Sequence, residues 1–379
     1  MARKILYLVS EDWYFVSHRL PMARAAKSAG YDVHVVTRVD ACGEEIQRDG
    51  LRLHPIHWRR GNMNPFRLLA AALETRRVYR QINPDLAHHV ALVPTLIGSL
   101  AALGLPVVRL NALAGLGFAF TSETAKARVL RPLANLLLGW LLKRPQTAVL
   151  VQNPDDYAVV TKLGVLKDNI ALIPGSGVDT EQLTPMPEPS GPFTIAFVGR
   201  LLDDKGVRTL VRAHQLLAQR GLTVRTLLAG EPDPSNPASI PDGVLADWRN
   251  VPNLQLLGHV EDIRSVWARA HAAVLPSRRE GLPKSLLEAA ACGRPLIATD
   301  VPGCREIARN NVNALLVSAD DAEALAAAIE ILSKDVALRA RFGRASRDIV
   351  TREYSTERVA AEITRLYSRL LQQTPSSTL

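Results

Sequence analysis

"GVDTEQLTPMPEPSGPFTIAFVG", residues 177–199, is the stretch on which the fold turns. Residues 177–192 hold four prolines and two glycines and follow no helical or strand period, so they read as a linker. FTIAFVG (193–199) then restarts a pattern that the first half of the chain has already run through. In both halves short β-rich runs alternate with helical ones, the mark of parallel sheets covered by helices. Before the linker the strand candidates are KILYLVS (4–10), DVHVVT (32–37), LAHHV (86–90), VVRL (107–110), AVLVQ (148–152) and IALIP (170–174). Helices are expected over Leu20–Ala29, ended by Gly30, and Pro65–Ile82, ended before Pro84. After FTIAFVG come VRTLLAG (224–230), LQLLG (254–258), AAVLP (272–276), PLIAT (295–299) and NALLV (313–317). The expectation is an α/β chain of two doubly wound, Rossmann-like domains facing a central cleft, with ligands beyond the carboxyl ends of the strands. The domains run over 1–176 and 193–354, with 177–192 between them. Residues 355–379 close the chain as a helix packing back on the first domain, with a frayed tail.

The 379 residues suffice for two domains and a large core, so neither disulfides nor metals are needed for folding. Apolar residues make up 47% and charged residues 22%, which excludes a disordered chain. Cys42, Cys292 and Cys304 lie far apart without CxxC or metal-type spacing, which fits a reducing compartment. MARKILYLVSEDWYF (1–15) reads as a first strand rather than a signal peptide, because acidic Glu11 and Asp12 follow the short apolar run at once. The longest apolar stretches fall short of a membrane span. A net charge of +9 suits nucleic acid, an anionic membrane or phosphorylated substrates. Nucleic acid is disfavoured, since aromatics are 5% and no recognition-module signature occurs.

LPSRREGLPKSLLEAAACGRP (275–295) carries two carboxylates. Glu280 lies in a loop after AAVLP, and Pro283 marks the opening of the next helix. Glu288 follows two turns on and faces inward, where a carboxylate accepts hydrogen bonds from a vicinal diol. The bland alternative is a solvated Glu280 and a Glu288 paired with an arginine. FVGRLLDDKGVRTLV (197–211) puts Arg200 just after a strand and Lys205 at a helix entry. Two cations at the carboxyl edge of a sheet make a diphosphate clamp. The alternative is a surface arginine paired with Asp203 or Asp204.

Strand-GR-L-x-x-x-KG, then E-G-x-P with Glu-x7-Glu, then CGRPLIATDVPGCREI (292–307), together resemble the retaining nucleotide-sugar glycosyltransferases of family 4, which have the GT-B fold. The resemblance covers essentially the whole chain and is strongest over 193–320. The opening SEDWYFVSHRLPMARAAKSAGYDVHVVT (10–37) resembles a branch that builds bacterial surface polysaccharides, lipopolysaccharide among them, on polyprenyl diphosphate carriers. The resemblance implies that Glu280 contacts the transferred sugar, helped by the amides of Gly281 and Leu282, and that Glu288 binds the ribose diol. Arg200 and Lys205 are implied to neutralise the diphosphate leaving group, which removes the need for a metal or other cofactor. The nucleotide sugar is a co-substrate, a UDP-N-acetylhexosamine or UDP-hexose by resemblance, and backbone near His259 and Val260 is expected to meet the base.

In the first half, His18 and Arg19 open the first helix and are candidates for acceptor or donor phosphates. The glycine-rich turn that many family members carry there is replaced by SEDWYFVSHR (10–19). His88 and His89 must face opposite sides of their strand, so at most one reaches the cleft. The family places a histidine here beside the transferred sugar, and His88 is the choice. NALAGLGFAFTSE (111–123), with Gly115 and Gly117, is an acceptor-loop candidate against the alternative of a plain surface loop. TAKARVLRPLANLLLGWLLKRPQ (124–146) is both basic and apolar, and reads as a helix lying on an anionic membrane or as a buried helix. The expected protein is thus a metal-independent transferase, peripheral on the cytoplasmic face of the membrane. It takes a lipid-linked glycan acceptor and has neither nucleic-acid nor inferred protein partner. A nucleotide-sugar 2-epimerase and a non-catalytic sugar-nucleotide-binding protein are the rivals. No G-x-G-x-x-G follows either first strand to support a dehydrogenase.

Overall fold

The computed structural model describes residues 2–58, 64–113, 136–234 and 236–373. The chain forms two compact units, Met1–Ser176 with Thr356–Leu379, and Gly177–Ser355.

The first unit is built on a seven-stranded parallel sheet. Its strands are β1 (Lys4–Glu11), β2 (Asp32–Arg38), β3 (Arg52–Pro55), β4 (Leu86–Val90), β5 (Val108–Leu113), β6 (Thr147–Val151) and β7 (Ile170–Leu172), in the order β3-β2-β1-β4-β5-β6-β7. The order reverses between β1 and β4, whose register sets Tyr7 beside His88 and Leu8 beside His89. β3 is absent from the sequence-level expectation. It is four residues long, pairs among the described residues only with β2 at the sheet edge and ends on a proline, so it lacks the alternating apolar run that marks an inner strand.

Alternation along each strand divides the core. Ile5, Tyr7 and Val9 pack on one side of the sheet with Phe15, Ala23 and Ile46. Leu6 and Leu8 pack on the other with Ala71, Tyr79 and Ile97. The helix Pro65–Ile82 begins where expected: Asn64 accepts a hydrogen bond from the Arg67 amide, Pro65 fills the first turn, and Asn83 closes it in the left-handed region. Such a side-chain cap contributes about 1 kcal/mol. The last helix, Thr356–Gln372, buries Val359, Ile363, Leu366, Tyr367 and Leu371 in the core of the first unit. Each such side chain stabilises by about 1.5–3 kcal/mol as an upper estimate.

The second unit carries a six-stranded parallel sheet: β8 (Thr194–Val198), β9 (Arg225–Ala229), β10 (Leu254–Gly258), β11 (Ala272–Leu275), β12 (Leu296–Thr299) and β13 (Ala314–Val317). The order is β10-β9-β8-β11-β12-β13, so the reversal lies between β8 and β11. In open sheets of this kind ligands bind beyond the carboxyl ends of the strands at such a reversal. Arg200 and Lys205 follow β8, and Glu280 follows β11.

Candidate active site at the strand-order reversal of the second sheet

The loop after β8 is shaped by close backbone approach. Gly206 sits at φ +70°, and a Cβ there would lie 1.9 Å from the Pro276 carbonyl oxygen just past β11. Only glycine fits, because both the conformation and the space exclude a side chain. The loop is thereby held against the end of β11. Lys205 Nζ lies 2.6 Å from Glu280 Oε1, and Ser277 Oγ donates to the same oxygen at 2.7 Å. The side chains of Lys205 and Glu280 are 24% and 9% exposed, which places the pair between a surface ion pair and a buried one.

The Glu280 loop is held from below as well. A Cβ on Gly303 would meet the carbonyl oxygens of Gly281 and Glu280 at 2.4 and 2.7 Å, and Thr299 Oγ1 donates to the Ser277 carbonyl. Cys304, fully buried under this loop, has its thiol pushed well up by burial, with Glu280 adding to the effect. It is an inert packing residue and not a nucleophile.

Arg200 does not pair with Asp203 or Asp204. Asp203 binds Arg208 at 2.6 Å, and Asp204 binds Arg279 at 2.8 Å. Arg200 instead donates to Asp233 at 2.6 Å, with its own side chain 42% exposed. An ion pair so exposed is worth about 0–1 kcal/mol, so Arg200 can exchange its partner for an incoming anion.

Glu288 lies on the helix Lys284–Ala291, with Pro283 immediately before the first turn. Its Oε1 is 3.6 Å from Lys284 Nζ one turn back, a lysine where an arginine partner was the alternative. Burial raises its carboxyl above the ordinary range, and the lysine opposes this. Gly281 and Leu282 are half-buried in the same loop. His259 is exposed and Val260 half-buried, just past β10, where Gly230 N donates to the Gly258 carbonyl at 2.7 Å. Arg200, Lys205, Glu280 and His259 thus follow the carboxyl ends of strands in one sheet. Among the described residues, no group of three or more His, Cys, Asp or Glu side chains is placed to hold a metal ion.

The candidates of the first unit have a different character. His18 does not open the first helix but ends a short one, Asp12–His18, with Arg19 between it and the helix Leu20–Ser28, and His18 stacks on Tyr14 with centroids 4.2 Å apart. Arg19 is buried and donates to the Gly175 carbonyl at 3.3 Å. His88 and His89 are both 0% exposed. His88 Nδ1 is 2.7 Å from Tyr367 Oη on the last helix, and Tyr367 donates to Tyr7 Oη at 2.6 Å. Burial holds the His88 imidazole well below its ordinary pKa. His89, on the opposite face, bonds Tyr79 and Asn111 and is lowered to about 4, burial again leading. Gly115, Gly117 and most of 124–146 lie outside the described residues.

Sequence reasoning missed Ser277 and Asp233. Ser277 had a local signal, a hydroxyl three residues before the carboxylate it supports. Asp233 had none, because only the neighbouring ends of β8 and β9 bring it to Arg200.

Two family models match the chain: "Glycosyl transferase 4-like" over residues 4–153 and "Glycosyl transferases group 1" over residues 192–335. Among curated proteins, the chain is 25% identical over 369 residues to an N,N'-diacetylbacillosaminyl-diphospho-undecaprenol alpha-1,3-N-acetylgalactosaminyltransferase of Campylobacter jejuni, covering 93% of this chain and 95% of that one. It is 30% identical over 181 residues to the capsular polysaccharide biosynthesis glycosyltransferase CapM of Staphylococcus aureus, 48% of this chain and 47% of the other. A sucrose-phosphate synthase from Thermosynechococcus elongatus has the same fold, with a TM-score of 0.82 at 20% identity, covering 98% of this chain and 100% of that one. With one model on each unit and the fold in common, the chain belongs to the group 1, family-4-like glycosyltransferases of GT-B architecture.

Proposed function

We propose that this glycosyltransferase moves a sugar from a nucleoside diphosphate to a hydroxyl of a lipid-linked glycan, with retention at the anomeric carbon and without a metal ion. The observation that carries the reading is the Lys205–Glu280 pair at the strand-order reversal, with Ser277 on the same carboxylate. Full-length similarity to a transferase whose name specifies a diphospho-undecaprenol acceptor supports the acceptor class. It also favours transfer over the epimerase and binding-protein readings. The donor is a UDP-N-acetylhexosamine or UDP-hexose.

The chemistry follows from charge. As the bond from the anomeric carbon to the diphosphate oxygen breaks, negative charge grows on the diphosphate. Lys205 and Arg200 meet it in the role that a metal ion fills elsewhere. Glu280 orients Lys205 and reaches the sugar hydroxyls, while Glu288 accepts from the ribose diol. The acceptor hydroxyl attacks from the leaving-group side, its oxygen bonds the anomeric carbon, and its proton passes to the departing diphosphate oxygen. His88, neutral and held by Tyr367, offers the transferred sugar a hydrogen bond rather than a charge. His18, Arg19, Gly115 and Gly117 serve the acceptor side, and backbone near His259 and Val260 the base. Among the described residues no helix is long and apolar enough to cross a membrane. A lipid-linked acceptor then calls for peripheral contact at the cytoplasmic membrane face.

The test is transfer to a lipid-linked acceptor in EDTA and then in magnesium, with Glu280→Ala and Lys205→Ala beside the parent. The expected result is unchanged turnover in EDTA and loss of most turnover in both folded variants. Near-parental rates in both variants would overturn the site. Loss of activity in EDTA restored by magnesium would overturn metal independence.

A further inference from the structure

The helix layer over one face of the first sheet carries an apolar surface that the transfer reaction leaves unexplained. On the helix Pro65–Ile82, Phe66 is 83% exposed, Leu69 58% and Leu73 51%. At 100° per residue these three, with Ala70, fall on one stripe, and the same stripe continues through exposed Arg77 and Arg80. It contains no acidic residue. Glu74 lies off it and accepts from His57, and among the described residues neither Arg77 nor Arg80 has an ion-pair partner. The stripe is apolar at its amino-terminal end and cationic at its carboxyl-terminal end. Burial cannot explain it, because the helix already packs its opposite side, through Ala71, Tyr79 and Ile82, into the core.

A second patch belongs to the same layer. The helical segment 136–142 buries Leu138 and Leu142 against Val149 and Val151. Those residues lie on the sheet face shared by Leu6, Leu8 and Ala87, as the register through β4, β5 and β6 shows. The other side of the segment exposes Leu136 (71%) and Trp140 (42%) one turn apart, with the Arg144 guanidinium 4.7 Å from the Trp140 ring. Again an exposed apolar pair stands beside a cation.

We propose that this helix layer of the first unit is the docking surface for an anionic lipid bilayer, with Phe66, Leu69, Leu73 and Trp140 entering the headgroup–acyl boundary and Arg77, Arg80 and Arg144 meeting the headgroups. The assignment rests on the peripheral, lipid-linked reading above and adds the surface that reading requires. The occupant follows from complementarity. Side chains of this kind suit the bilayer interface, and cations without an ion-pair partner among the described residues suit phosphate-bearing headgroups.

The experiment is flotation of the full chain with phosphatidylcholine vesicles, with and without phosphatidylglycerol, at low and high salt. It compares the parent, Phe66→Ser/Leu73→Ser and Arg77→Gln/Arg80→Gln, all changes on exposed positions. The expected result is binding to the anionic vesicles, weakened by salt. The charge variant should partition about thirty-fold less, the effect of two surface cations. The apolar variant should lose flotation at high salt, where screening leaves only apolar insertion. Parent-like flotation of both variants would overturn this surface while leaving membrane binding intact. Equal binding to neutral and anionic vesicles would overturn the headgroup assignment. Concentration-dependent dimerisation abolished by Phe66→Ser/Leu73→Ser, with no flotation, would overturn it in favour of a second copy of the chain. Donor-induced heat stabilisation, read on the same samples, tests the transferase reading separately: its failure would count against the donor site and leave the flotation result standing.

Discussion

The two strand-order reversals of this chain are topologically alike and chemically opposite. In the second sheet the reversal is flanked by charged groups that stay partly open. Lys205 and Glu280 are held by glycine-dependent loops, and Arg200, itself exposed, is tied to Asp233. In the first sheet the reversal sets His88 beside Tyr7 in a fully buried aromatic cluster closed by Tyr367. One edge carries ion pairs that stay partly open, which the proposed function assigns to a charged ligand. The other excludes charge and holds its histidine neutral. On the proposed reading, charge stabilisation belongs to the second unit, and His88, held neutral by burial, contributes hydrogen bonding.

The largest expected effect breaks the charged edge. Lys205→Ala and Glu280→Ala should each lower turnover by about 10²–10³, the scale for removing one preorganised electrostatic contact. The double variant should fall little further, because the two groups act through one pair. Additive losses in steady-state kinetics would show that they work independently. Next comes the loop that holds the pair. Gly206→Ala should cost about 3 kcal/mol or more in urea unfolding, since the new methyl group meets the Pro276 carbonyl in a left-handed conformation. A stability within experimental error of the parent would mean that the loop yields and does not position Lys205.

On the buried edge, Tyr367→Phe keeps the ring and removes the hydroxyl that bonds both His88 and Tyr7. It should destabilise by about 1–3 kcal/mol. It should also lower turnover more than donor affinity, as expected if Tyr367 fixes the His88 ring for the sugar. Nuclear magnetic resonance of the His88 ring should show no titration between pH 6 and 8 in the parent, and a titration there would contradict the comparison drawn above. The smallest effect concerns Glu288. Its folded pKa is raised, so the native state binds more protons than the unfolded chain once pH exceeds the unfolded value. Its ionisation therefore costs stability as pH rises through the folded pKa. Glu288→Gln should make the protein slightly more stable at pH 7 but not at pH 4, while weakening nucleotide binding. Weaker stability at pH 7 would show that the Lys284 pair outweighs burial.

Much of this was legible in the residues. The period-2 runs, the proline-rich break at 177–192 and the caps of Pro65–Ile82 are local, so sequence alone locates twelve of the thirteen strands among the described residues and the helix ends that matter. The motif spacing after β8 and β11 likewise picks out Arg200, Lys205, Glu280 and Glu288. Tertiary structure alone decided the partners. Lys205 and Glu280 are 75 residues apart in the chain, and His88 and Tyr367 are 279 apart. Neither pairing has a local signal, because each depends on which strands become neighbours and on where the last helix returns. The edge strand β3 escaped for a related reason. Its four residues are held by one neighbour and the pairing register, not by a pattern of their own. Periodicity encodes which face of an element is buried. It does not encode what is buried against it, and that is why a lysine read as half of a diphosphate clamp is also held by a glutamate, and a strand histidine by a tyrosine.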